Sequence, residues 1–113
     1  MTYIKINDVQ YPAIINGRVT DKDWDNRESK SITLEISYKE AKSIFVDDLA
    51  WSIIYQPDGY KDEKGEIVVP EAEVYDNSEF ALAGDITDHR DGTVTVKMGK
   101  YTNEELLLME VLG

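Results

Sequence analysis

Three carboxylates at alternate positions, Asp21, Asp23 and Asp25 in the stretch DKDWDNRESKS, are the residues most open to a chemical reading. A helix-flanked calcium loop also starts with acids at its first, third and fifth places, because their oxygens must converge on one ion. It then requires Gly sixth, an apolar residue eighth and a bidentate Glu twelfth. Counted from Asp21, those places hold Asn26, Glu28 and Ile32, and only the first of these is tolerable. The expectation is a polar loop, with Trp24 folded back as a lid over the core and the charged neighbours in water.

A second constellation is GDITDHRDG, which gathers Asp85, Asp88, His89 and Asp91. Carboxylates and imidazole are metal-ligand and acid–base types. A transition-metal site normally needs more His or Cys, and the chain has one His and no Cys. A turn is therefore expected, with Gly92 free to take a positive φ. Enzyme templates fit poorly. Thiol catalysis has no residue to use, a serine triad would depend on His89 without a G-x-S-x-G elbow, and phosphate-cradling glycine patterns are absent. Carboxylate pairs of the glycosidase kind are assembled in space and leave no local spacing to read. The expectation is a protein that is not an enzyme and has no catalytic, cofactor or metal residues.

Charge is the strongest bulk signal. The chain of 113 residues carries a formal net charge of −11, and 31% of its residues are charged. Such a surface repels phosphate backbones and anionic lipid, so nucleic acid and membrane are not expected as partners. Between Glu66 and Asp91 eight acids stand against one base, Arg90. That excess either solvates a face or docks a basic partner, and the residues singled out for an interaction surface are Trp24, Glu71, Glu73, Asp76 and Glu79.

The elements that must position these residues read as one domain over residues 1–113, since repeats, low-complexity tracts and linkers are missing. YIKI and VQYPAII form an N-terminal hairpin about Asn7-Asp8, and Pro12 places its second strand at an edge or bulge. Asn16-Gly17 reads as a further turn. SITLEIS resumes strand character, and Ser37 with Glu40 opens a helix through a capping box. WSIIY, IVV and EVY are short strands. Phe80, Leu82 and Ile86 form one arm of a last hairpin, and Val94, Val96 and Met98 the other. Thr102 with Glu105 repeats the capping box, Tyr101 and Leu106 suit a hydrophobic staple, and Gly113 could end that helix. Leu107, Leu108, Val111 and Leu112 then predict packing on the sheet. About six to eight strands and two helices result. The fold class is α+β, an antiparallel β-sandwich or partly open barrel with one internal helix and a C-terminal helix packed on the sheet. MTYIKIND has no apolar core of a signal peptide, and the longest apolar runs are too short to span a bilayer, which implies a soluble protein kept inside a cell.

Three stretches carry a likeness. The opening Y-I-x-I-N-D-V-x-Y-P at 3–12 resembles the I-N-G-V-x-Y-P start of small phage and prophage proteins, notably tail-associated ones of Gram-positive bacteria, and departs from it at Asp8. WDNRE at 24–28 and AGDITDHRDGTVTVKMGKYT at 83–102 are similar to a short prophage protein of the same setting. The resemblance implies a virion or virion-assembly component, a β-sandwich with a helix packed on it, and assembly into rings; it carries over no catalytic residues. The reading is a non-enzymatic phage or prophage structural or tail-assembly protein that acts through protein–protein contacts. Other phage structural proteins or further copies of itself would be its partners, in a bacterial cytoplasm or an assembled virion. The rival readings are an acidic inhibitor or nucleic-acid mimic that binds a basic protein, and a carbohydrate-binding module that uses Trp24 or Trp51.

Overall fold

The computed structural model describes residues 1–112, without the side chains of Arg18 and Leu112; Gly113 lies outside it. The element order is β1 (Thr2–Ile6), β2 (Val9–Asp21), β3 (Arg27–Leu34), α1 (Tyr38–Ile44), β4 (Ser52–Tyr55), β5 (Tyr60–Lys61), β6 (Ile67–Val68), β7 (Glu73–Asp76), β8 (Leu82–Asp88), β9 (Val94–Gly99) and α2 (Asn103–Leu112). Seven strands make one antiparallel sheet in the order β7-β4-β1-β2-β3-β9-β8, and β5 with β6 form a separate hairpin. The expected class holds: a mainly antiparallel α+β fold, open at β7 and β8, with one internal and one C-terminal helix. Among the described residues there are nine strands, more than the sequence suggested.

The long strand β2 explains the architecture. Its first part, Val9–Pro12, pairs with β1, and Ala13–Asp21 pairs with β3. Pro12, which has no N–H, sits where pairing to β1 is ending and pairing to β3 has not begun, so the missing donor breaks no ladder. Asn16-Gly17 is not a turn, a correction to the sequence reading. It lies in a bulge between Asn16 and Val19, and the strand runs on to Asp21. A bulge uses the same backbone-permissive residues as a turn, and the strand around it is exposed enough to look like loop.

Alternation places Ile4 and Ile6 of β1, Ile32 and Leu34 of β3, and Val94, Val96 and Met98 of β9 on one side. Ala41 and Phe45 at α1, together with Trp51 and Phe80, close over them. Ser37 caps α1 by accepting a hydrogen bond from the Glu40 amide at 3.1 Å. Trp51 Nε1 donates to the Phe80 carbonyl at 3.0 Å, and the Trp51 carbonyl accepts the Asn77 amide at 2.9 Å, so Trp51 holds the β7–β8 link. Each buried Ile, Leu, Val, Met or Phe side chain among them contributes about 1.5–3 kcal/mol.

The second helix behaves otherwise. Leu107 is 61% exposed, Leu108 60% and Val111 82%, and no strand packs against α2 among the described residues. The expected docking of this helix on the sheet is therefore corrected: it projects from the body. The molecule measures 61 × 34 × 26 Å, with a radius of gyration of 16.9 Å. A compact chain of this length would have about 13 Å. Among the described residues no helix is long and apolar enough to cross a membrane.

Candidate functional site

The stretch DKDWDNR at 21–27 builds the root of α2. Asp21 ends β2, and its side chain accepts the Asp23 amide at 3.0 Å while its carbonyl accepts the Trp24 amide at 3.2 Å. Asp25 and Asn26 follow with φ of 56° and 57°, a left-handed pair that Asp and Asn tolerate better than most residues. The turn folds Trp24 back onto the sheet, on the face opposite the main core. There it lies on two glycines. A Cβ at Gly84 or at Gly99 would come within 2.7 Å of the Trp24 ring, so the indole needs both positions bare.

Arg27, the first residue of β3, is 5% exposed and stacks 4.8 Å from the Trp24 ring centre. Its guanidinium donates to the Lys100 carbonyl at 2.9 Å and to both Glu105 oxygens at 2.7 and 3.1 Å. Asp25 stands at 3.5 Å. A planar fork meeting a carboxylate at two points fixes orientation as well as distance. Glu105 also accepts the Thr102 amide at 2.8 Å, while the Thr102 hydroxyl accepts the Glu105 amide at 3.2 Å. One carboxylate thus closes the capping box and anchors α2 to the body. The Arg27 guanidinium beside it, helped by the Thr102 amide, lowers the Glu105 pKa to about 2.

Neighbouring charges are similarly engaged. Lys97 donates to Asp21 at 2.5 Å and holds that carboxyl below its usual range. Lys100 lies 3.3 Å from both Glu28 and Glu79. Tyr101 donates to Asp48 at 2.7 Å, and that hydrogen bond raises the phenol to about 12. Beside these residues an open groove of about 1250 Å³ runs between α2 and the body, with Arg27, Lys100, Glu28 and Glu79 among its walls. The cluster orients a helix, because the terminal nitrogens of its buried cation are already bonded.

No protein-family model, curated protein or solved structure matches the chain.

The other residues singled out in the sequence are more scattered. Glu71 precedes β7, Glu73 and Asp76 lie in it, and Glu79 follows in the link to β8. Glu73 and Asp76 are three apart on a strand and so face opposite ways. Glu73 accepts the Tyr75 hydroxyl at 2.8 Å, and Asp76 accepts the Ser78 amide and hydroxyl, which lower its pKa. Only Glu79 joins the groove at the root of α2. Trp51 is 2% exposed, inside the core. At the β8–β9 turn, Asp88 accepts the Arg90 amide, Asp91 accepts from Thr93, and the His89 ring meets the Thr95 hydroxyl at 2.7 Å. Among the described residues no three His, Cys, Asp or Glu side chains are grouped to hold a metal. Sequence reasoning missed Arg27, Gly84 and Gly99. Glu105 was visible as a cap, but its distant cation was not.

Proposed function

We propose that the protein is a non-enzymatic phage or prophage structural or tail-assembly component that works through protein–protein contacts. The observation that carries this is α2: a run of Leu106, Leu107, Leu108 and Met109, each about half or more exposed, on a helix whose first turn is fixed to a rigid sheet. A free helix of ten residues is marginal in water. A contiguous apolar surface of this kind marks a contact site. The phage and prophage setting, and with it a host cytoplasm or assembled virion as location, rests on the likeness of residues 3–12, 24–28 and 83–102 to small tail-associated proteins.

The rivals draw less support. A nucleic-acid mimic needs its carboxylates in one array, and Glu73 and Asp76 face opposite ways. A sugar platform needs an open indole, and Trp51 is buried while Trp24 is pressed onto Gly84 and Gly99. The test is to purify the protein with the products of the genes that flank it and measure association by light scattering. A stable complex, or a discrete oligomer, supports the reading. A strict monomer with no affinity for any flanking product contradicts it.

A further inference from the structure

Resting on that reading, we infer that α2 inserts into an apolar groove with Lys or Arg on its rim, on a different protein rather than on a second copy of this chain. Consecutive residues on a helix are 100° apart, so Leu106 to Met109 surround the axis instead of forming one stripe. A helix that is apolar all round requires cover on more than one side. A neighbouring helix or flat sheet supplies one side only, whereas a groove encloses most of the circumference, the helix-in-groove mode of recognition.

Area argues against a symmetric pair of α2 helices. Ten residues span about 15 Å, and a helix is about 10 Å across, so one side presents a footprint of roughly 150 Å². A groove that encloses the helix covers about three times that area, closer to the roughly 800 Å² per partner of a stable interface. Charge argues the same way. The polar residues of α2 include Glu104, Glu105 and Glu110 and no base, and each copy carries a net charge of −11. Glu105 is committed to Arg27, which leaves Glu104 and Glu110, both exposed, to meet the partner. Neither groove of a second copy suits them. The groove at the root of α2 is walled by Asp25, Glu28 and Glu79, and its cations Arg27 and Lys100 are already paired. The groove between α1 and β8 offers Lys42 against Asp47 and Asp85. A basic rim elsewhere is complementary where this chain is not.

The experiment titrates purified products of the flanking genes against three forms of the full chain: wild type, Leu107→Glu/Val111→Glu, and Glu104→Lys/Glu110→Lys. Thermal melts serve as the fold control, since all four positions are exposed. The expected result is that the apolar double variant loses at least about tenfold in affinity, as for a central anchor. Wild-type binding should weaken as salt rises, and the charge-reversed variant should bind more weakly with that salt dependence gone or inverted. A flanking product that binds wild type and the apolar variant equally overturns this inference and leaves the broader reading standing. So does a self-associated wild type that the apolar variant makes monomeric, or co-sedimentation of wild type with phosphatidylcholine vesicles. If no flanking product binds and the protein stays a monomer, both fall.

Discussion

The two helices begin alike and end differently. Each starts at a hydroxyl that caps the amide three residues on, Ser37 for α1 and Thr102 for α2. Past the cap, α1 presents Ala41 and Phe45 to β8 and β9 and buries both, while α2 leaves its leucines in water. Capping is a local matter of four backbone amides, and sequence shows it well. What covers an apolar face is decided by distant chain or by another molecule. The difference is also one of attachment: α1 is held by packing, and α2 by one charged fork at its first turn.

Breaking the α1 side of this comparison should have the largest effect. Trp51→Ala removes the largest buried side chain and strips the Phe80 carbonyl of its donor. A loss of about 3–5 kcal/mol is expected, a large share of the ~5–15 kcal/mol available to a small domain, measured by urea denaturation. Next comes Gly99→Ala at the root of α2. The new Cβ would lie 2.7 Å from the Trp24 ring and 2.8 Å from Arg27 Cδ, so the indole must lift. Overpacking of this kind costs about 1–3 kcal/mol, and the Trp fluorescence should shift to the red.

Glu105→Gln keeps an acceptor for the Thr102 amide but loses the charge opposite Arg27. The expected cost is about 1 kcal/mol, kept small because a partly exposed ion pair is screened. Its pH dependence has a definite sign. The folded pKa of about 2 lies below the ordinary 4.5, so the stabilisation is complete above pH 4.5 and is lost as pH falls through 2. The gap in melting temperature between wild type and variant should therefore be constant near neutrality and close between those two values. Least affected should be Leu107→Ser, which removes an exposed side chain and is expected to shift stability by no more than about 0.5 kcal/mol. A larger loss would mean that α2 is covered in the isolated protein.

These contrasts show where the sequence was legible. The hairpins about Asn7-Asp8 and His89–Gly92, the strand alternation of Ile32 with Leu34 and of Val94 with Val96, and both helix starts follow from local rules, and the structure contains them. Asn16-Gly17 misled because turn and bulge draw on the same residues. Leu82 and Ile86 do share one hairpin arm, and the irregularity between Ala83 and Ile86, which no local pattern announces, puts Leu82 opposite Gly99, across the sheet from the core. The root of α2 was the least legible part. Arg27 and Glu105 are 78 residues apart, and a lone Arg among acids looks the same in sequence whether it is solvated or buried. The acids of DKDWDN were visible from the start, but their partners, Lys97 and Arg27, were not.

The central claim is that α2 is fixed at its root and uncovered along its length. Solvent paramagnetic relaxation of methyl groups in the isolated protein tests it most directly, with Ile32 and Val96 as buried references and Ile67 and Val69 as exposed ones. The account predicts that Leu107, Leu108 and Val111 relax as fast as Ile67 and Val69. Rates for those three as slow as the buried references would contradict it.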